Sequence, residues 1–267
     1  MTTDQTMKPV EEIDYLSGFR NMLRKENSSW LSTHRWLKQS LIWLVFVNGI
    51  VSLVLYLNSS VHIGAQSSMG PPSGVELFFM MLGSITPYGV VILTQSDVVG
   101  EKQSGTAEWV LSAPLSREAF LLSKLVVNSM WIFAVMVFLQ GVAFNLILLT
   151  FGLPMVPVLN MVAGLATNCL HLFFWLTLTL MLGASFQGRG SVLGIPLAFL
   201  ILQDLIIQLA ATYMPWLIPL LPKSFMVQGL QLAQGGGIES MVPAVAVAIW
   251  SIIFMAAAIW RFRHEEF

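Results

Sequence analysis

The segment EKQSGTAEWVLSAPLSREAFLLSKL, residues 101–125, separates two long apolar stretches of the chain and carries charges of both signs. Gly105 can begin a short helix, and Glu108 would then complement the free amides of its first turn. Pro114 ends this piece, because the residue before a proline avoids helical dihedral angles. Ser116 restarts the chain as an N-cap. The segment therefore predicts a short helix, a bend and the start of a second helix.

The chain as a whole is far more apolar than a soluble protein. Of its 267 residues, 56% are hydrophobic and only 10% are charged, and the mean hydropathy is +0.75. Soluble domains usually devote about a quarter of their residues to Asp, Glu, Lys and Arg. Such a shortage of charge, with apolar runs beyond about 18 residues, is typical of a polytopic membrane protein. The single cysteine, Cys169, excludes a disulfide framework within the chain.

Six apolar segments are each near the ~20 residues that cross ~30 Å of hydrocarbon. We place them at residues 39–57, 75–95, 119–151, 155–186, 191–213 and 241–260. The predicted fold is an all-α integral membrane protein with six transmembrane helices. Residues 1–38 would form a cytoplasmic tail and an amphipathic helix, and residues 39–267 a single six-span domain.

Residues 19–37 divide apolar from basic side chains. Phe19 and Met22 fall on one helical face, Arg20 and Arg24 fall on the other, and the run Asn27-Ser28-Ser29 predicts a break. This pattern is typical of a helix lying in the headgroup layer of a membrane. The alternative is a solvated helix packed on soluble protein.

The basic residues give the predicted orientation. With the amino terminus in the cytoplasm, all of the 13 Lys and Arg residues except Lys223 fall on the cytoplasmic side. Because cytoplasmic loops carry an excess of Lys and Arg, both termini are predicted to be cytoplasmic.

Three prolines, Pro215, Pro219 and Pro222, interrupt the apolar stretch 211–237 before the sixth span. Each removes a backbone donor, so one continuous span is disfavoured. Two short helical pieces that enter the membrane and return, a re-entrant hairpin, fit this stretch better. Broken backbone of this kind needs shielding by protein or water. A plain extracellular loop is the alternative.

Asp204 is the acidic residue that lies deep in a predicted span, with Gln203 and Gln208 beside it. An ionisable group at this depth is costly and is by default a functional hypothesis. These three residues are therefore candidates to line a pathway. The alternative is an aspartate that ties spans together.

The other polar residues of the spans predict hydrogen bonds between helices rather than a metal site. They are His171 with Asn168 and Thr167, and also Asn48, Gln140 and Asn145. We predict no catalytic residue and no metal ligand in the chain.

The segment quoted above resembles the signature of ABC type-2 permeases, especially the branch of nitrous oxide reductase maturation and gliding motility permeases. The matching residues are Glu101, Gly105, Thr106, Glu108, Pro114, Arg117 and Lys124. The resemblance implies that residues 101–114 form a coupling helix that docks into a cleft of a separate ATPase subunit. Trp109, Val110 and Leu111 would supply the buried contact, because apolar anchors dominate small interfaces.

The chain has no G-x-x-x-x-G-K-[ST] phosphate loop, so ATP and Mg would be bound by the partner. The resemblance implies two ATPase subunits and a second permease half, either an identical copy or a related permease. It also implies an exporter in a bacterial or archaeal cytoplasmic membrane, and no cofactor in this chain. The basic residues are spread along the membrane edge, which does not indicate nucleic-acid binding.

Three alternatives stay open. A haem-exporter-type permease of cytochrome maturation shares the six-span plan. A stand-alone channel or scaffold would work without an ATPase. An intramembrane enzyme using Asp204 or His171 would need a second acid or a Ser-His arrangement, which the sequence does not supply.

Overall fold

The structure, a computed structural model, describes residues 18–61, 73–106 and 115–265. These residues form helices and no strand. Six helices are long and apolar enough to cross a membrane, and they mark the chain as a multi-pass membrane protein, as predicted. We number them spans 1 to 6: Arg35–Ser59, Gly74–Gln103, Arg117–Thr150, Val158–Ser185, Arg189–Tyr213 and Val242–Arg263.

Several of these spans contain more than one helical piece. Span 1 consists of Arg35–Trp43, a π-helical segment Leu44–Gly49 and Ile50–Val61. Span 2 consists of Gly74–Thr94 and Val99–Gln103, separated by a turn. Span 3 consists of Arg117–Ile132, a second π-helical segment Phe133–Phe138 and Leu139–Thr150. The predicted limits of spans 1, 2 and 6 were too short, because these spans continue through charged residues to Arg35, Gln103 and Arg263.

The N-terminal helix runs without interruption over Phe19–Ser32, so the predicted break at residues 27–29 is wrong. Asn27 Oδ1 accepts a hydrogen bond from Trp131 Nε1 at 2.9 Å, and the Trp30 ring stacks on Trp131 with the ring centroids 5.8 Å apart. These contacts with span 3 hold weak helix formers in the helix, as tertiary packing often does. The chain turns later, at His34, where φ is 54°.

A polar pair links the π-helical segment of span 1 with span 3, just after the π-helical segment of span 3. Asn48 Nδ2 donates to Gln140 Oε1 at 2.8 Å, and Gln140 Nε2 donates to the Val135 carbonyl at 2.9 Å. A π turn shifts the backbone hydrogen bonds of the helix, and the Gln140 side-chain amide donates to a carbonyl of that turn. The predicted hydrogen bonding between helices is confirmed for this pair. Asn145 instead bonds the backbone of Val156, in the connection to span 4.

Between spans 5 and 6 lies a broken hairpin, residues 215–233. It consists of a 3-10 helix, Pro215–Leu220, and an α-helix, Pro222–Ala233, that packs against spans 4 and 2. His171, near the middle of span 4, donates from Nδ1 to the Pro222 carbonyl at 3.1 Å, while its Nε2 accepts from Trp175 Nε1 at 3.2 Å. The predicted bonding to another helix is confirmed for His171.

Thr167 and Asn168 behave differently from His171. Both side chains donate to the Gly164 carbonyl of their own helix, at 2.7 and 3.2 Å. The predicted bonding to a second helix is therefore wrong for these two residues. The reason is that hydroxyl and amide groups within a helix can bond the carbonyl three or four residues earlier.

Gly164→Ala should lower the free energy of unfolding by about 1–3 kcal/mol, because overpacking forces backbone to shift. A Cβ on Gly164 would stand 2.6 Å from the Gly229 carbonyl oxygen and 2.7 Å from Phe79 Cζ. Gly194→Ala is the matched control, because a Cβ there meets nothing within 4 Å and alanine favours a helix by up to ~1 kcal/mol. Thermal unfolding of the purified variants in detergent gives both values. A Gly164→Ala variant as stable as Gly194→Ala would contradict the close packing of the hairpin on span 4.

Candidate functional site at the basic end

The described Lys and Arg residues, Lys223 excepted, lie at or near one end of the spans, which we call the basic end. This end carries the N-terminal helix and both flanks of residues 107–114. Five predicted docking residues fall outside the described residues: Glu108, Trp109, Val110, Leu111 and Pro114. The structure describes the two places where this segment is attached. We call residues 97–106 the first root and residues 115–128 the second root.

Gly105 stands in a turn of the first root, directly before Thr106, which is already helical. Its φ of 69° lies in the left-handed region that favours glycine. The Ser104 and Thr106 hydroxyls are 2.7 Å apart across this turn. Gly105 therefore allows the chain to change direction within the segment 101–114, which the resemblance identifies as the coupling helix.

Lys124 is the centre of an ion cluster that joins the two roots. Its side chain is only 2% exposed, and its Nζ lies 2.9 Å from Glu26 Oε1 and 3.1 Å from Glu101 Oε1. Lys25, on the N-terminal helix, also pairs with Glu101, at 3.2 Å. The Phe120 ring lies under the Lys124 ammonium at 4.9 Å. One buried cation thus connects the N-terminal helix with the ends of spans 2 and 3.

A second set of polar contacts lies beside this cluster. Asn128 Nδ2 donates to Asp97 Oδ2 at 2.7 Å, and Trp30 Nε1 donates to Asn128 Oδ1 at 3.1 Å. Sequence reasoning missed these three residues. A usable signal exists for one pair, because Lys124 and Asn128 are four residues apart in one helix and therefore share a helix face.

Lys102 anchors the first root to two further elements. Its side chain is 4% exposed, and its Nζ lies 2.8 Å from Glu265 Oε1. The same ammonium donates to the carbonyls of Gly183 and Ala184 at 3.4 and 3.0 Å. Lys102 therefore ties the end of span 2 to the end of span 4 and to the residues that follow span 6. Sequence reasoning gave Lys102 no role.

Arg117 anchors the second root to the same place. Its Nη1 donates to the carbonyls of Phe262, Arg263 and Glu265 at 3.0, 2.7 and 2.7 Å. A cation at the last carbonyls of a helix is favourable, because these groups lack partners within the helix. Arg263 in turn pairs with Glu118.

The predicted N-cap at Ser116 is confirmed. Its Oγ accepts from the backbone amide of Ala119 at 3.1 Å, and Glu118 lies in the first turn of span 3. Leu115 and Phe120, one on each side of the cap, are both buried. The start of span 3 is therefore fixed in direction by local bonding as well as by Arg117.

The predicted pathway residues lie away from the basic end and do not form one cluster. Asp204 pairs with Lys223 of the hairpin, and the two side chains are 64% and 27% exposed. Gln208 is exposed, whereas Gln203 is buried and its Oε1 has no partner among the described residues. Sequence reasoning did not pair Asp204 with Lys223, although the prolines between them predict a return of the chain.

The fold and these contacts define a six-span helical membrane protein whose spans 2 and 3 are joined through a charged, firmly attached connection. The chain belongs to the DUF2705 family, described as proteins of unknown function, whose family model matches residues 41–267. The match includes the last five spans, both roots and all of span 1 except its beginning. No curated protein matches the chain.

Proposed function

We propose that the chain is the permease subunit of an ATP-driven ABC exporter, in which residues 107–114 dock onto a separate ATPase subunit. The observation that carries the proposal is the attachment of both roots. Lys124 and Lys102 are almost fully buried cations, and Arg117 bonds three carbonyls. A connection that only joins two spans would run over the surface with few such bonds.

The attachment suits the transmission of force from an ATPase to the spans. A displacement of residues 107–114 reaches the N-terminal helix through Glu26 and Glu101. It reaches span 4 through Lys102, and span 6 through Lys102 and Arg117. Buried ion pairs resist displacement because breaking one leaves an unpaired charge in a place of low polarity. The spans therefore follow the docked segment.

The orientation belongs to the same proposal. The basic end faces the cytoplasm, where an ATPase has access to ATP, and the N-terminal helix lies at that membrane surface. Its Met22 and Trp30 side chains are buried against the protein. We propose a bacterial or archaeal cytoplasmic membrane as the location of the chain.

Cysteines introduced one at a time at Ser59 and Gln234 should react with an impermeant thiol reagent added to intact cells, because both residues are exposed at the end opposite the basic end. A cysteine at Ser104, an exposed residue of the first root, should react only after the cells are opened. Cys169 is buried and gives a low background. Labelling of the Ser104 position in intact cells would contradict the orientation.

The pathway forms between two permease halves and is lined by span 5. The Asp204–Lys223 pair is exposed on the single chain, and such charges are costly against lipid hydrocarbon. They are tolerated where they face water or a partner chain. The contact of Pro222, at the turn of the hairpin, with His171 near the middle of span 4 supports a re-entrant hairpin.

Asp204→Asn should reduce ATP turnover by the reconstituted complex while the amounts of folded permease and bound ATPase stay at the parent level. The amount of folded complex should stay unchanged because Asp204 and Lys223 are partly exposed, so their ion pair contributes little to stability. The measurement compares the ATPase rate with the yield of intact complex by size exclusion. Equal loss of complex and of turnover would assign Asp204 a purely structural role.

The proposal is tested by purifying the chain, with an affinity tag, from its native membrane in a mild detergent. We expect an ATPase subunit with a G-x-x-x-x-G-K-[ST] sequence to be retained in a one-to-one ratio. An ATPase-independent channel or scaffold would retain none. For the haem-exporter alternative, His171 is not a free haem ligand in this structure, because both of its ring nitrogens bond within the protein.

A further inference from the structure

An apolar cavity of about 260 Å³ lies between spans 4, 5 and 6 and the broken hairpin. Aromatic side chains of the three spans form half of its lining, and residues of the hairpin form the other half. The principal lining residues are Phe174, Phe199, Trp250, Phe254, Leu220 and Pro222. No lining residue carries an ionisable group, so the cavity offers a ligand only apolar contact.

The chemistry of the wall excludes water as the occupant. An apolar cavity of about 150 Å³ stays dry and binds benzene or xenon. The present cavity is larger and equally apolar, so it suits a hydrocarbon group. It is also smaller than the roughly 300–1,000 Å³ of a site for a drug-sized molecule. A narrow, unbranched chain fits these limits better than a bulky ligand.

Exposed apolar residues lie beside the cavity on span 6. Trp250 is 41% exposed, and beside it Ile249 and Ile253 are exposed apolar residues of span 6. Asp204 lies five residues after Phe199, which places it about 140° around span 5 at 3.6 residues per turn. The ion pair therefore lies on another flank of span 5. The mouth of the cavity is continuous with the exposed apolar band of a membrane-spanning bundle.

We propose that this cavity binds one acyl chain of a membrane phospholipid, inserted from the bilayer between spans 5 and 6. The hydrocarbon at this depth is always in contact with the mouth, whereas a helix of a second copy, ~10–12 Å wide, is too broad to enter. Because Leu220 and Pro222 form one wall, the bound chain supports the hairpin. This proposal requires a membrane-spanning chain but no ATPase partner.

The test uses vesicles of phosphatidylcholine that contain a phosphatidylcholine with a photoreactive diazirine midway along one acyl chain. After illumination, labelled peptides are mapped by mass spectrometry. We expect the label to concentrate on peptides that contain Phe199, Leu220 and Trp250, above the level on other exposed apolar faces. Even labelling of all such faces would overturn the proposal.

Cavity-filling variants make the test specific. Leu220→Trp should reduce labelling of the cavity peptides about tenfold, which corresponds to ~1.4 kcal/mol of lost binding. Leu217→Phe is a second filling variant should the first fail to fold, as judged by size exclusion. Leu209→Trp, at an exposed site of span 5, is the control and should leave the labelling unchanged. Labelling that both filling variants leave intact, or a disulfide-linked dimer of a Leu220→Cys variant, would contradict the proposal.

Discussion

Lys124→Met is expected to lower the free energy of unfolding by about 3–5 kcal/mol, the usual cost of removing one partner from a buried ion pair. Methionine matches the length of the lysine stem but leaves Glu26 and Glu101 without their central cation. For a chain of this length the melting temperature should fall by roughly 10 °C. Thermal unfolding in detergent, followed by tryptophan fluorescence, measures the change.

Two further variants separate the charge from general packing. Lys25→Met is the matched control, because Lys25 also pairs with Glu101 but is 44% exposed, and such pairs contribute ~0–1 kcal/mol. Adding Glu26→Gln and Glu101→Gln to Lys124→Met should restore much of the stability. Removing all the charges of a buried ion cluster together often changes the stability little. If the melting temperature of Lys124→Met equals that of the parent, the ion cluster does not hold the two roots together.

Trp109→Ala combined with Leu111→Ala is expected to weaken binding of the ATPase subunit at least ~30-fold. A single buried aromatic or apolar anchor commonly contributes ~2 kcal/mol or more to an interface, and ~1.4 kcal/mol is tenfold in affinity. The measurement is the fraction of ATPase retained when the tagged permease is purified at several dilutions. The folded yield of the permease should be unchanged if the proposed docking role is the main role of these two residues.

The matched control is Trp216→Ala with Leu209→Ala, two exposed apolar residues away from the basic end. It should retain the ATPase at the parent level. Pro114→Ala separates binding of the ATPase from coupling. Without Pro114 the predicted short helix would run on past residue 114. The ATPase should then stay bound, but its rate of ATP hydrolysis should no longer respond to transport. Full retention of the ATPase by the Trp109→Ala, Leu111→Ala variant would show that the segment is only a loop.

Local patterns in the sequence predict the spans well. Apolar length located all six membrane-spanning helices, although span 2 continues eight residues beyond its predicted end, from 95 to 103, and the Ser116 N-cap followed from residue types next to one another. The predicted break at residues 27–29 was wrong because helix propensity reflects only the local sequence. In the folded chain, Asn27 and Trp30 bind and pack against Trp131 of span 3, and this contact overrides the local preference.

The contacts of the candidate site could not be read from the sequence for the same physical reason. Glu26 and Lys124 are 98 positions apart, so their pairing depends on how the N-terminal helix packs on span 3. Lys102 is placed by the ends of spans 4 and 6 together. Glu101, Arg117 and Lys124 were selected by the family resemblance, and the structure adds what each of them bonds.

The measurement that tests the central claim most directly is a photocrosslink from position 109 in native membranes. Trp109 is replaced by photoreactive benzoylphenylalanine, with the same replacement at Ser59 as the control at the opposite end. The account predicts one adduct from position 109, with a subunit that carries a G-x-x-x-x-G-K-[ST] phosphate loop, and no such adduct from Ser59. No adduct from position 109, or one with a protein lacking a phosphate loop, would contradict it.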